Sequence, residues 1–228
     1  DKLRTLRGKL KNVLTYGLNA DNDIRGENVK DMGLEGMRFD IVYGGGRITA
    51  TIPSPGIHMV MNSLCAAAVG LTLGIEPELI KQGIESYAPV EGRMQIIKTQ
   101  RLTLLDDSFN ANPTSMAAAI NIACRASGRT VLILGDMLEL GEKGAEYHRD
   151  MGKKAVECGA DMMIGKGPLM KNACEETERA GIETMHFDTS EDIMRALDNC
   201  LRDGDTVLVK ASHGTNLKDV AEYIKANF

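Results

Sequence analysis

The second half of the chain alternates between short apolar runs and longer amphipathic stretches. A run of four or five apolar residues predicts a buried strand, and apolar residues spaced three or four apart predict a helix. Strands and helices in strict turn are typical of a parallel sheet covered by helices. The predicted strands are 130–134, 161–164, 183–187 and 206–209, and the predicted helices are 144–158, 168–180, 190–201 and 216–227.

The first half has a more mixed pattern, with short strands followed by helices. Gly44–Gly46 separates two apolar runs and predicts a hairpin turn. A largely polar run at 24–32 predicts an edge strand, and Pro77 suits the first turn of a helix. The other predicted strands are 13–16, 37–43, 47–52, 95–98 and 102–105, and the predicted helices are 58–73, 77–86 and 113–125.

A small polar segment, Ala126–Arg129, divides these two patterns and is the predicted domain boundary and hinge. The sequence therefore predicts an α/β protein with two domains. Residues 1–127 would contain a mixed sheet with helices, and residues 128–228 a small Rossmann-like domain with a parallel sheet.

Composition narrows the class of function. The chain has 228 residues, of which 43% are apolar, and a net charge of −5 without a basic block. Nucleic-acid binding requires clustered basic residues and is not expected. No apolar segment approaches the ~20 residues of a membrane span. The five scattered cysteines suit neither a disulfide framework nor a zinc site, so a reducing cytoplasmic location is expected.

Polar residues follow three of the predicted strands. Asp106 and Asp107 follow the strand at 102–105 and precede a loop rich in asparagine. Asp136 follows the strand at 130–134, and Lys210 and Ser212 follow the strand at 206–209. Ligands of open α/β sheets bind beyond the carboxyl ends of the strands. Side chains of this kind at three strand ends predict an enzyme.

Five segments together resemble the Mur ligase family: Gly56–Ala67, Gly92–Met94, Asp106–Pro113, Leu134–Gly141 and Val207–Ser212. Their order and separations match the family over nearly the whole chain. The string Asp-Asp-Ser-Phe-Asn-Ala-Asn-Pro at the third segment is the most specific of them. The resemblance implies the later portion of the central, ATP-binding domain followed by the Rossmann-like C-terminal ligase domain.

The resemblance also implies a reaction. It favours the family member that uses ATP and Mg²⁺ to join D-alanyl-D-alanine to UDP-N-acetylmuramoyl-tripeptide during peptidoglycan synthesis. An acyl phosphate is the activated species in this family. The sequence contains no Gly-x-x-Gly-Lys-Thr phosphate loop, so we expect no ATP hydrolysis by this chain alone and no metal ligand within it. A monomer is expected.

For the nucleotide, the resemblance assigns four residues. Asn62 would contact the adenine, Arg93 the phosphates and Asp107 the ribose hydroxyls, and Asn112 would lie near the nucleotide. Arg93 would also be catalytic. Taken alone, each has a plainer interpretation: an isolated arginine beside a turn is most often an exposed surface residue, and paired aspartates suit the start of a helix.

For the substrates, the resemblance assigns Asn110, Asp136 and Ser212, with Lys210 as a second catalytic residue. Asp136 would pair with the ammonium group of the dipeptide, and Lys210 and Ser212 would bind a carboxylate or an acyl-phosphate oxygen. Ser212 could instead cap a helix. His148 is interpreted as a packed or solvated helical histidine and not as a base.

Two other functions remain open from the sequence. Amide ligases of the folylpolyglutamate synthase or cyanophycin synthetase type share this architecture but lack the Asp106–Pro113 string in this form. A Rossmann-like module that binds a partner without chemistry is the second alternative. Binding of D-alanyl-D-alanine, of glutamate, or of neither would discriminate among the three.

Overall fold

The structure is a computed structural model that describes residues 9–228, and the chain divides into two compact units between Ala88 and Pro89. Within residues 9–88, the first unit contains a four-stranded sheet and two α-helices. Its elements are β1 (Tyr16–Gly17), β2 (Ile24–Asp31), β3 (Met37–Tyr43), β4 (Gly46–Ile52), α1 (Ile57–Thr72) and α2 (Pro77–Glu85).

The sheet of the first unit has the order β1-β2-β3-β4. The hairpin predicted around Gly44–Gly46 is confirmed, since β3 and β4 pair antiparallel on either side of this turn. The predicted strand at 13–16 is wrong except at its last residue. Val13 and Leu14 are exposed, and the amide of Thr15 donates to the carboxylate of Asp23 at 2.8 Å.

Helix α1 covers one face of this sheet. Its residues Val60, Leu64 and Ala67 are spaced as one helical face and are fully buried in a core that includes Phe39 and Ile41. The helices predicted at 58–73 and 77–86 are confirmed as α1 and α2, with bounds that differ by one residue. None of the helices between residues 9 and 228 combines the length and the apolar character that crossing a bilayer requires.

The second unit contains a six-stranded sheet with the order β5-β6-β10-β7-β8-β9. All neighbouring strands pair parallel except β5 and β6, which form the predicted hairpin. Its strands are β5 (Gln95–Lys98), β6 (Thr103–Asp107), β7 (Thr130–Gly135), β8 (Met162–Lys166), β9 (Glu183–Phe187) and β10 (Thr206–Lys210). Its helices are α3 (Pro113–Cys124), α4 (Gly144–Cys158), α5 (Lys171–Arg179), α6 (Ser190–Cys200) and α7 (Lys218–Asn227).

The domain boundary predicted between residues 127 and 128 lies inside the second unit. The reason is the parallel pairing of β6 with β10, which places β5 and β6 in the same sheet as the later strands. The segment Ala126–Arg129 is also tied to this sheet, because Thr206 donates to the carbonyls of Ser127 and Arg129 at 2.9 and 2.8 Å. The structure therefore gives no support to a hinge at this segment.

Strand β10 is one of the two central strands of the sheet and lies between β6 and β7. All residues of β7 and β10 are buried, as expected for parallel strands covered on both faces. Lys210 at the end of β10 lies opposite Asp107 of β6 on one side and Leu134 of β7 on the other. The polar residues that follow β6, β7 and β10 therefore meet at one edge, as the strand order requires.

Candidate functional site

A buried ion pair joins the ends of β6 and β10, two neighbouring strands of the second unit. The ammonium of Lys210, a residue that is only 1% exposed, lies 2.5 Å from Oδ2 of Asp107 and donates to the carbonyl of Asn110 at 2.9 Å. Burial raises the pKa of the Asp107 carboxyl above its usual range, although Lys210 and the backbone amide of Met94 act in the opposite direction. The pair fixes the loop after β6 to the end of β10.

Asp106 forms a second ion pair on the other face of the sheet, because successive residues of a strand point to opposite faces. Its carboxylate is fully buried and accepts from the ammonium of Lys225 on α7 at 2.8 Å. It also accepts from the amide and hydroxyl of Ser108. Although burial disfavours the charged ammonium, hydrogen bonds to Asp106 and Glu222 raise the pKa of Lys225. Asp106 is therefore an anchor of the loop.

The Gly92–Met94 turn is bound to the loop after β6 by two hydrogen bonds. The amide of Met94 donates to Oδ1 of Asp107 at 3.0 Å, and the amide of Phe109 donates to the carbonyl of Gly92 at 2.9 Å. Gly92 has a φ of 71°, and a Cβ there would lie 3.2 Å from the amide of Phe109. The turn thus requires glycine, and it places Arg93 beside the loop.

Arg93 lies over the ring of Phe109, with its Cζ 4.1 Å from the ring centroid. The ring of Phe109 is in turn 5.7 Å from that of His213, which belongs to the loop after β10. All three side chains are exposed. Within the described residues, the guanidinium of Arg93 forms no hydrogen bond or ion pair. Its donors are therefore available to an anion.

The two asparagines of the loop differ in their environment. The backbone carbonyl of Asn110 accepts from Lys210, and its side chain is exposed. Asn112 is the N-cap of α3, where its side chain accepts from the amide of Ser115 at 2.9 Å in a capping box. Asn112 is exposed as well. Its contact with a nucleotide stays a prediction, and the same side chain has a structural role as the cap of α3.

Asp136 is buried and its two oxygens accept backbone hydrogen bonds. The amide of Met170 donates to Oδ1 at 2.7 Å, and the amide of Leu169 donates to Oδ2 at 3.3 Å. Gly167 packs so closely that a Cβ there would lie 2.6 Å from the carboxyl carbon. The structure gives Asp136 the role of holding the chain at the start of α5, and its predicted contact with a dipeptide ammonium stays untested.

His148 is the acceptor that fixes the loop after Asp136. Its ring is fully buried, Nε2 accepts from the amide of Met137 at 2.8 Å, and Nδ1 lies 2.6 Å from the carbonyl of Gly144. An Nε2 that accepts from an amide carries no proton, so the ring is the neutral Nδ1–H tautomer. The interpretation of His148 as a packed helical residue is confirmed.

Replacing His148 by Leu is expected to lower the free energy of unfolding of the second unit by about 1–3 kcal/mol, because the buried amide of Met137 loses its acceptor. Urea unfolding followed by circular dichroism measures this change. The exposed His213→Leu variant is the control and should unfold like the unmodified protein. Equal stability of the two variants would contradict the assignment of His148.

Ser212 joins the loops that follow β7 and β10. It is buried, its Oγ accepts from the amide of Leu138 at 3.0 Å, and its own amide donates to the carbonyl of Asp136 at 3.1 Å. The alternative of a side-chain helix cap is wrong, since Ser212 makes no capping hydrogen bond to the turn that follows it. Its binding of a substrate stays a prediction.

Sequence reasoning missed Lys166 at the end of β8. Its ammonium donates to the hydroxyl of Ser190 at 2.7 Å and, at a shorter distance, to the carbonyl of Thr215. Burial lowers the pKa of Lys166 below its usual range. Lys166 thereby holds the turn after Ser212 in place. The sequence feature that could have identified Lys166 is a lysine directly after a short apolar run. In the structure, Lys166 is the last residue of β8 and lies opposite Gly135 of β7.

Asn62 belongs to the first unit, where it is exposed on α1 with its Nδ2 3.8 Å from the sulfur of Met59. It lines a largely apolar cavity of about 530 Å³ formed with α2 and the end of β4. The other lining residues are Ile52, Met59, Ser63, Ala66, Gly70, Ile75, Leu79, Ile80, Gly83, Ile84 and Tyr87. An amide on the rim of an apolar cavity suits a planar, hydrogen-bonding ligand.

The second unit brings most of the predicted site residues to one edge of its sheet. Those at or directly beside the carboxyl ends of β6, β7 and β10 are Arg93, Asp107, Asn110, Asn112, Asp136, Lys210 and Ser212. This edge offers one exposed guanidinium and a lysine whose charge Asp107 balances, a set suited to binding and orienting anions. Across residues 9–228, no three His, Cys, Asp or Glu side chains gather as a metal site would need.

Comparison with known proteins agrees with this arrangement. The sequence profile of the family described as "Mur ligase, glutamate ligase domain" matches residues 92–213, which lie within the second unit. The UDP-N-acetylmuramoyl-tripeptide–D-alanyl-D-alanine ligase of Bacillus subtilis is 33% identical over 215 residues, which cover 91% of this chain and 46% of that protein. The chain thus spans about half the length of the curated relatives it matches.

Solved structures show the same fold. A D-alanyl-D-alanyl ligase from Acinetobacter baumannii superposes with a TM-score of 0.85 at 25% identity and covers 98% of this chain and 48% of its own. The MurF ligase from Thermotoga maritima, solved in complex with ADP, superposes with a TM-score of 0.81 at 21% identity and covers 99% of this chain and 51% of its own. The fold, the matched profile and the relatives at this level of identity show that the chain belongs to the Mur ligase family.

Proposed function

We propose that this chain is the portion of an ATP-dependent amide ligase that receives D-alanyl-D-alanine and helps to join it to UDP-N-acetylmuramoyl-tripeptide in peptidoglycan synthesis. The observation that carries the proposal is the loop Asp106–Pro113, held by the Asp107–Lys210 pair beside an exposed Arg93. Relatives at 31–33% identity carry this activity in their names.

We assign residues 89–228 to the C-terminal ligase domain and the preceding residues to the end of the central domain. This differs from the division at 127/128 that the sequence predicts, and the profile match that begins at residue 92 supports it. We further propose that the protein acts as a cytoplasmic monomer in cell-wall synthesis, and so in cell shape and division.

ATP would supply the phosphoryl group that activates the acceptor carboxylate. Arg93 fits the task of binding its phosphates, because an exposed, unpaired guanidinium offers planar paired donors. Asn62, on the rim of the apolar cavity of the first unit, fits the edge of an adenine. Residues 9–228 contain no group of three His, Cys, Asp or Glu side chains that could form a metal site by themselves, so no role in holding Mg²⁺ is derived from them.

The contribution of this chain to the reaction is orientation and charge. Lys210 fixes the carbonyl of Asn110 and the carboxylate of Asp107, so the loop presents its asparagine side chains in a set geometry. Arg93 offers positive charge where an anionic reactant would bind. Holding two reactants at a fixed distance and stabilising developing negative charge are the main sources of rate in amide formation.

The proposal is tested with the full natural protein that contains these residues. We incubate the purified protein with ATP, Mg²⁺ and UDP-N-acetylmuramoyl-tripeptide, and add D-alanyl-D-alanine, D-alanine or L-glutamate. The masses of the products are measured by mass spectrometry. We expect a product heavier by one dipeptide with D-alanyl-D-alanine only. A product with L-glutamate would contradict the proposed dipeptide substrate and support a glutamate-adding ligase instead. No product with any of them would leave the binding-module alternative.

A further inference from the structure

Phe109 connects two cationic or polar side chains that come from different loops. Its ring contacts the guanidinium of Arg93, 4.1 Å from the centroid, and the ring of His213, 5.7 Å away at an angle of 40°. Phe109 itself is 43% exposed, so its position is not explained by burial in the core. Its contacts with Arg93 and His213 lie in the ranges of favourable cation–π and aromatic pairs.

The backbone around Arg93 is fixed, but its side chain has no other anchor. The Gly92–Met94 turn is hydrogen-bonded to Asp107 and to the amide of Phe109. Among the described residues, the guanidinium of Arg93 has no acidic partner and no hydrogen bond. A long exposed side chain without a partner loses conformational entropy when it binds a ligand. A side chain that is already held in its binding orientation loses less.

We propose that Phe109 is a positioning residue for Arg93. Its ring, against which His213 packs, holds the guanidinium of Arg93 in an orientation in which the N–H donors of Arg93 can bind a phosphate of a polyphosphate ligand. Planar paired donors match phosphate oxygens. Only the identity of the ligand, a nucleotide, rests on the proposed function.

The role is specific to an aromatic ring. Leucine at position 109 would fill a similar space without a π face, while tryptophan would keep the cation–π contact. Because Arg93 keeps its charge in both variants, the loss on Phe109→Leu is limited to the positioning. We therefore expect roughly a two- to five-fold weaker affinity for a polyphosphate, the range that an exposed cation–π contact provides.

The test uses the 228-residue chain, labelled with ¹⁵N so that the Nε–H group of each arginine is followed by NMR. The order parameter of Arg93 Nε is measured in the free protein, and inorganic pyrophosphate is then titrated. We expect Phe109→Leu to lower both the order of Arg93 and the pyrophosphate affinity, and Phe109→Trp to restore both.

Phe228→Leu is the matched control, because Phe228 makes the same kind of contact with Arg101 at 5.2 Å. Because Nε of Arg101 also donates to Asp203 at 2.6 Å, this variant should change the order of Arg101 less than Phe109→Leu changes that of Arg93, and it should leave pyrophosphate affinity unchanged. The proposal is overturned if Phe109→Leu leaves the order of Arg93 or the affinity unchanged, or if the unmodified chain does not bind pyrophosphate. The ligation assay is independent of these results, so failure here leaves the proposed function standing.

Discussion

Replacing Lys210 by Met is expected to lower the free energy of unfolding of the second unit by about 3–5 kcal/mol at neutral pH. The ammonium of Lys210 is the partner of the Asp107 carboxylate at 2.5 Å, and both lie between packed strands. Methionine has a similar length, so the change removes the charge and leaves a carboxylate in a poorly solvated position.

This loss should depend on pH. Burial already raises the pKa of Asp107, and it would rise further without Lys210. A carboxyl whose folded-state pKa is raised favours the folded state in acid and loses that contribution as the pH rises through the folded-state value. The difference between Lys210→Met and the unmodified protein should therefore be largest at about pH 7.5 and smaller at about pH 4.5.

Urea unfolding at both pH values measures this prediction, and Lys218→Met is its matched control. Lys218 forms an exposed ion pair with Glu91 at 3.0 Å, so its loss should change stability little at either pH. The double variant Lys210→Met with Asp107→Asn should recover part of the stability. Equal effects of Lys210→Met and Lys218→Met would contradict the assignment of a buried pair.

Replacing Arg93 by Ala is expected to lower kcat/KM for ATP-dependent ligation by about 100-fold in the full natural protein, the loss typical of removing one donor from a developing anion. The fold should be unaffected, because the side chain of Arg93 is exposed and its guanidinium forms no hydrogen bond or ion pair within the described residues. Asp107→Ala is a poorer test of the site, since it also breaks the buried pair with Lys210.

Arg101→Ala is the control for this prediction. Arg101 is also exposed, lies over the ring of Phe228 and forms an ion pair with Asp203 at 2.6 Å, at the hairpin between β5 and β6. It has no place in the proposed site, so its removal should leave kcat/KM near that of the unmodified protein. If Arg93→Ala and Arg101→Ala have the same activity, Arg93 does not bind the reacting phosphates.

Much of the fold could be predicted because its signals are local. The Gly44–Gly46 hairpin, the helix opened by Pro77 and the alternation of strands and helices after residue 129 each depend on neighbouring residues, and the structure confirms them. The boundary at 127/128 failed because β6 joins β10 across about a hundred residues of sequence. No local pattern reports a pairing of that separation.

The candidate site was predictable to a similar extent. Asp107 and Lys210 were both singled out, but their direct pairing depends on the neighbouring positions of β6 and β10. Lys225 was missed, because a lysine on an amphipathic helix looks like any solvated residue until Asp106 is placed opposite it. Asp136 was found at a strand end, yet its backbone partners come from the start of α5.

An NMR map of ligand binding on this chain tests most directly whether ligands of the second unit bind at the carboxyl edge of its sheet. We predict that D-alanyl-D-alanine and ADP give saturable amide shifts at 92–94, 107–112 and 210–215. Shifts confined to the opposite edge, at 99–102, 126–129 and 202–205, or no saturable shift with either ligand, would show that the carboxyl edge is not the binding site.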